Sequence, residues 1–187
     1  MVETGHRKRC KRIEVPGHVH ELKFSCYKQR PFLNSRLSRD SLAESILKAK
    51  TKHKFDIWAY VIMLEHIHLI IFPKESDYSI SKILYSIKRP VAKEVIKHMR
   101  ENSSRNLKLL STGQKNAPCR FWLPGGGYDR NITEVDTLLK VVNYIHRNPV
   151  RRGLVDNPGD WYWSSYNEWL KLGAGPIPID RESFPTT

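Results

Sequence analysis

Two small groups of residues have the types and spacing that could do chemistry: His66-Ile67-His68, and Tyr144 with Asn148. On a strand, residues two apart point to the same face, so both imidazoles would project together while Ile67 packs behind them. Two neutral imidazoles on one face can chelate a divalent ion, and the apolar Leu69, Ile70 and Ile71 would make their support rigid. The same spacing also fits two half-exposed histidines that merely alternate, and a metal would need a third ligand from elsewhere. Tyr144 and Asn148 are four apart, one turn from each other on one face of a helix. A phenol is a poor nucleophile at its free pKa of about 10. It becomes useful beside a metal or a base when the electrophile is a phosphodiester. Alternatively, Tyr144 is a helix-surface aromatic and Asn148 a C-terminal cap.

The elements that must position these groups follow from hydrophobic periodicity. Residues 18–27 alternate as a strand (Val19, Leu22, Phe24, Cys26), ended by Pro31. Residues 41–52 have helical spacing with Ser41 or Asp40 as N-cap. Residues 55–64 and 66–72 are β-rich and close enough to form a hairpin around Leu64 and Glu65, closed by Pro73. Residues 80–99 predict a second helix, kinked near Pro90, and 101–118 an exposed polar loop. A short strand is expected at 120–123, before the flexible Gly125-Gly126-Gly127 turn. Residues 133–147 predict a third helix, opened by a Thr133-x-x-Asp136 capping box and stopped by Pro149. The order β-α-β-β-α-β-α implies an α+β fold: a ferredoxin-like, split βαβ antiparallel sheet with helices on one face.

Composition narrows the class. The 187 residues carry 32 Lys+Arg against 19 Asp+Glu, a formal charge of +13, with 40% hydrophobic and 10% aromatic residues. That is too apolar for a disordered basic tail. The longest apolar run, 57–64, is far short of the roughly 20 residues a spanning helix needs, so no membrane partner is expected. Cys10, Cys26 and Cys119 give neither a disulfide framework nor a CxxC pair, and Cys10, His18, His20 and Cys26 match no zinc-finger spacing. No apolar segment follows the charged start, so a reduced, cytoplasmic protein with a polyanionic partner is expected. None of the 8 histidines is followed two residues later by Ser or Thr, which argues against a metal-free two-histidine phosphoesterase.

Taken together, the motifs point to a family. The stretch from Tyr60 to Ile71 holds His66-Ile67-His68 as an HUH motif. Tyr144-Ile145-His146-Arg147-Asn148-Pro149-Val150-Arg151-Arg152-Gly153-Leu154-Val155 is followed by Asp160-Trp161-Tyr162-Trp163-Ser164-Ser165-Tyr166. In this order, over roughly 18–166, the chain resembles the single-tyrosine HUH transposases of the IS200-like group, especially those associated with REP elements. The resemblance implies metal-dependent nicking and rejoining of single-stranded, hairpin-forming DNA through a covalent 5′-phosphotyrosine. It implies Tyr144 as nucleophile, His66 and His68 as ligands of a divalent metal, and Asn148 as the third ligand. Such an ion would be Mg²⁺ or Mn²⁺, with Zn²⁺ also compatible with the ligand types. Members of the group occur as monomers and as homodimers, and a swapped dimer would pair Tyr144 with the partner's histidines. The family usually reads Met-Pro-Asn-His where this chain has Met63-Leu64-Glu65-His66. Glu65 is thus either an extra ligand or a solvated turn residue, and is read here as the latter.

The expected organisation is a basic leader at 1–17, a catalytic domain at 18–155 and a Trp-rich tail at 156–187 packing on it. Lys82, Lys88 and Arg89 on the second helix, and Arg147, Arg151 and Arg152 after the tyrosine, are the expected DNA contacts. The tail tryptophans could stack exposed bases or fold back on the core; the second is expected. The alternative function is a non-catalytic single-stranded DNA or RNA binding protein on the same fold.

Overall fold

The computed structural model describes residues 12–115 and 118–185; Cys10 and all of the basic leader before Arg12 lie outside them. Four strands, β1 (Val19–Ser25), β2 (Phe55–Ile62), β3 (His66–Pro73) and β4 (Tyr128–Ile132), form one antiparallel sheet in the order β2-β3-β1-β4. Helix α1 (Arg36–His53) links β1 to β2, and α2 (Ile80–Glu101) links β3 to β4. This is the interleaved pair of split βαβ units that defines the ferredoxin-like arrangement.

The strands alternate, and their two faces build two cores. Leu22, Phe24, Ile67, Leu69 and Ile71 pack with Leu42, Ile46, Ile83, Ile87 and Val91 of α1 and α2. Val19, Ala59, Val61, Met63, Ile70 and Ile132 pack instead with Leu138, Val141, Val142 and Ile145 of α3 (Val135–His146). The expectation of helices on one face therefore holds for α1 and α2, whereas α3 covers the other. A register shift between Ile57 and Ala59 changes which β2 residues face which core. Ile57 faces α1 and α2, as do Tyr60 and Ile62 beyond the shift. Such a bulge puts one extra residue into a strand and re-aims those that follow.

Several element boundaries differ from the sequence expectations. Helix α1 starts at Arg36, with Ser35 as N-cap accepting from the Ser38 N–H at 3.2 Å, ahead of the expected Ser41 or Asp40. Its first turn is largely polar and hides from an apolar period. Helix α2 runs through Pro90. The polar stretch after it holds a 3₁₀ turn at Arg105–Leu110, and Leu110 is buried. At 120–123 there is only an isolated bridge, Cys26 with Trp122, and the fourth strand comes after the glycines. Gly127 is required there: its φ is +73°, and a Cβ would lie 2.2 Å from the Lys23 carbonyl oxygen. The capping box does not form, since α3 is entered from Glu134 with no side-chain cap bond. Pro149 does not stop a helix but sits in the first turn of a short α4 (Asn148–Arg151), where its missing N–H costs nothing.

The tail closes the free edge of β2. Ile62 N–H donates to Trp163 O (2.8 Å), Ser165 N–H to Tyr60 O (3.1 Å) and Asp180 N–H to Ile57 O (2.8 Å). The Trp161 and Trp169 indoles donate to the carbonyls of Ile62 and Trp58. These bonds occupy an edge that would otherwise invite pairing with another chain. No helix among the described residues is long and apolar enough to cross a membrane.

Candidate active site

Strand β3 presents His66 and His68 on the α3 side of the sheet, while Ile67, Leu69 and Ile71 anchor the same strand in the opposite core. Both imidazoles are buried, with ring centroids 5.1 Å apart. Each turns its Nδ1 toward a carboxylate. His66 Nδ1 lies 3.0 Å from Glu65 Oε1, a hydrogen bond. His68 Nδ1 lies 3.8 Å from Glu21 Oε1, beyond hydrogen-bonding distance, and has no partner among the described residues. Burial, then the neighbouring His68 and Lys23, lower the His66 pKa to about 4 against the opposing pull of Glu65, so the ring is neutral near pH 7. The structure corrects the reading of Glu65 as a solvated turn residue. Its side chain is 13% exposed, and the oxygen that accepts from His66 also faces Arg152 Nη2 at 3.0 Å.

Helix α3 is amphipathic because Leu138, Val141, Val142 and Ile145 recur at helical spacing and seal it onto the sheet. That packing leaves Tyr144 at the helix edge, 45% exposed, with its ring edge-on to His68 of the same chain at a centroid distance of 6.2 Å. The Arg151 guanidinium lies over the Tyr144 ring at 4.7 Å. His146, two residues on, faces the other way. Its Nε2 is 2.8 Å from Ser165 Oγ, and that hydroxyl accepts from Tyr60 N–H and donates to Tyr60 O. The hydroxyl proton is thus committed to Tyr60, and His146 must be the Nε2–H donor. Burial pushes its pKa down to about 4, in keeping with a neutral ring.

Asn148 begins α4 after a break at Arg147, so it does not continue the helix that carries Tyr144. It is buried, and its Nδ2 has no partner among the described residues. Among those residues no group of three or more His, Cys, Asp or Glu side chains is gathered to hold a metal. The donors expected from the sequence are instead two imidazoles and the Asn148 amide. The Nε2 atoms of His66 and His68 make no hydrogen bond within the described residues, and imidazole nitrogens together with an amide oxygen are donors that suit a divalent ion.

His68 and Tyr144 both line a cleft of about 780 Å³, together with Lys23, Tyr128, Arg130 and Lys140. These four were not among the residues singled out from the sequence. Lys23 pairs with His68 on one side and Tyr128 on the other, so all three lie in one row across the sheet. That row is invisible without the strand register. Lys140 did carry a signal, since it is one helical turn before Tyr144. Of the expected DNA contacts, Arg147, Arg151 and Arg152 are exposed beside the tyrosine segment. Lys82, Lys88 and Arg89 ride on α2, on the far side of the sheet from the histidines. Lys88 is tucked in: its Nζ donates to Gly125 O at 3.2 Å and lies over Phe24 and Trp122, and burial lowers its pKa to about 8. Arg89 lies over Tyr85 and donates to its hydroxyl.

A family model described as "Transposase IS200 like" matches residues 17–148, a span that holds His66, His68, Tyr144 and Asn148. The chain belongs to the IS200-like transposase family. This transposase is 28% identical over 137 residues to the REP-associated tyrosine transposase of Escherichia coli (strain K12), covering 73% of the present chain and 69% of that relative. Its fold is similar to that of a REP-associated tyrosine transposase whose structure is described as bound to a REP hairpin. The TM-score is 0.67 at 22% identity, over 92% of each chain.

Proposed function

We propose that this transposase cuts and rejoins single-stranded, hairpin-forming DNA through a covalent 5′-phosphotyrosine on Tyr144. The observation that carries this is the meeting of Tyr144 and His68 within one chain, beside a cleft lined by cations. Hairpin DNA as the substrate class is carried over from the similar proteins, which are described as REP-associated or bound to a REP hairpin.

His66, His68 and Asn148 would hold a divalent ion, Mg²⁺ or Mn²⁺, which there supplies a Lewis acid for a phosphoryl oxygen. The chain's own residues do the rest. Lys23, Arg130 and Lys140 line the cleft and neutralise the phosphates on either side of the scissile one. Arg151, stacked on the phenol ring, puts a fixed positive charge where the reacting phosphate must approach. The Tyr144 oxygen attacks phosphorus and loses its proton as the bond to the 3′ oxygen breaks, and that oxygen leaves as a hydroxyl. The phosphotyrosine conserves the phosphodiester energy, so a 3′ hydroxyl can reverse the step without ATP.

In this scheme residues 18–155 are the catalytic domain, preceded by the basic leader at 1–17, and 156–187 brace the edge of β2. Arg147, Arg151 and Arg152 extend the phosphate-binding surface beside Tyr144, whereas Lys82, Lys88 and Arg89, on the opposite face, would reach only DNA that wraps around the sheet. One chain carries both the tyrosine and the histidines, so a homodimer is not needed to complete the site. A non-catalytic single-strand binder would account for the charge but not for a tyrosine placed beside the buried histidine pair.

The test is incubation with a labelled single-stranded hairpin and Mn²⁺ or Mg²⁺. A nicked strand ending in a 3′ hydroxyl and a denaturant-resistant adduct are expected, both lost in chelator and in His66→Ala or His68→Ala. Retarded migration without cleavage would favour the binding protein instead.

A further inference from the structure

Glu65 sits where its chemistry bears on His66, and the reaction scheme above gives it no task. Its backbone is pinned in the β2–β3 turn, where Glu65 O accepts from Cys26 N–H at 2.7 Å. A single carboxylate oxygen, Oε1, receives two donors from different elements: His66 Nδ1 at 3.0 Å and Arg152 Nη2 at 3.0 Å. Arg152 follows α4, and its backbone N–H donates to Asn148 O at 3.0 Å. The carboxylate thus joins the hairpin that carries the histidine pair to the segment that carries Asn148.

We infer that Glu65, held by Arg152, is a positioning residue that fixes His66 as the Nδ1–H tautomer and sets the spacing between the histidines and Asn148. A neutral imidazole has one donor and one acceptor nitrogen, and the hydrogen bond on one decides which remains free as a ligand. A carboxylate can only accept, so Nδ1 must carry the proton and Nε2 keeps its lone pair. Carboxylate–histidine pairs of this kind orient and strengthen metal-ligating imidazoles, and their loss typically weakens metal binding about 10- to 100-fold. His68 has no equivalent: its nearest carboxylate oxygen, on Glu21, is 3.8 Å away. The fixed ring is therefore His66, and the ring left to adjust is His68. The inference rests on the proposed metal site.

The experiment has two readouts that do not depend on turnover. Long-range ¹H–¹⁵N correlation spectra of the metal-free protein report the tautomer of each histidine. Calorimetric titration with Mn²⁺ reports affinity. In the wild type His66 is expected as the Nδ1–H form. Glu65→Ala should lose that preference and bind Mn²⁺ about 10- to 100-fold more weakly. Glu65→Gln keeps the acceptor, and should retain the tautomer while losing part of the affinity, because a neutral amide holds Arg152 and strengthens the imidazole less than a carboxylate does. Arg152→Ala should resemble Glu65→Gln. A wild-type His66 protonated on Nε2 would overturn the inference. So would a Glu65→Ala variant with unchanged tautomer and unchanged Mn²⁺ affinity. If the tautomer and affinity behave as expected but no DNA adduct forms, the proposed function fails and the role of Glu65 stands.

Discussion

Tyr144 meets His68 edge-on at 6.2 Å in the same chain, although 76 positions separate them in the sequence (144 − 68). The two residues come from different layers: His68 from the second strand in from the β2 edge, Tyr144 from the helix laid across that face. Helix α3 reaches this position because its apolar stripe packs on Val61 and Ile70, the neighbours of His68 across and along the sheet. The tyrosine is thus placed by packing, since its side chain makes no hydrogen bond among the described residues.

That relationship predicts the outcome of mixing two inactive variants. Tyr144→Phe keeps the histidines and His68→Ala keeps the tyrosine. If each chain serves its own site, the mixture forms no more adduct with a single-stranded hairpin than either variant alone. Recovery of adduct on mixing would mean that the tyrosine acts on the histidines of another chain.

The charge around the cleft predicts a salt dependence. For single strands, log K falls against log[salt] with a slope of about −0.7 for each phosphate contacted. Arg130 and Lys140 both line the cleft beside Tyr144. Replacing both with Gln should flatten the slope by about 1.4. A salt titration of the two proteins on one hairpin measures it, and equal slopes would show that the strand does not run through this cleft.

His146 predicts an acid sensitivity of the fold. Burial lowers its pKa to about 4, whereas in the unfolded chain it titrates near 6.5. Between those values the unfolded state binds more protons. Stability is therefore intact above about pH 6.5 and declines as the pH falls toward 4, by about 3 kcal/mol from this one group. His146→Gln retains a donor for Ser165 without titrating there, so its denaturation midpoint should fall less steeply over the same range. Identical pH profiles would rule out His146 as a source of the acid sensitivity.

Much of the site could be read from local pattern. The histidine pair lay on a strand because Ile67 between them and Leu69–Ile71 after them are β-forming and apolar, and Tyr144 lay on an amphipathic helix. What was not legible depends on contacts distant in sequence. Strand β4 is short, polar and partly exposed, and pairs only because β1 is there to receive it. The shift within β2 changes which residues face which core and follows from pairing, not from alternation. Glu65 looked like a turn residue because Arg152 lies 87 positions later (152 − 65). Lys23 and Arg130 became site residues only once the register put them beside His68 and Tyr144.

The central claim is that the Tyr144 oxygen becomes bonded to DNA. The direct measurement is mass spectrometry of the protease-digested adduct formed with a single-stranded hairpin. The expected result is a nucleotide attached through its 5′ phosphate to the peptide containing Tyr144, and no adduct from Tyr144→Phe under the same conditions. A nucleotide on any other residue, or an adduct of undiminished yield from Tyr144→Phe, would contradict it.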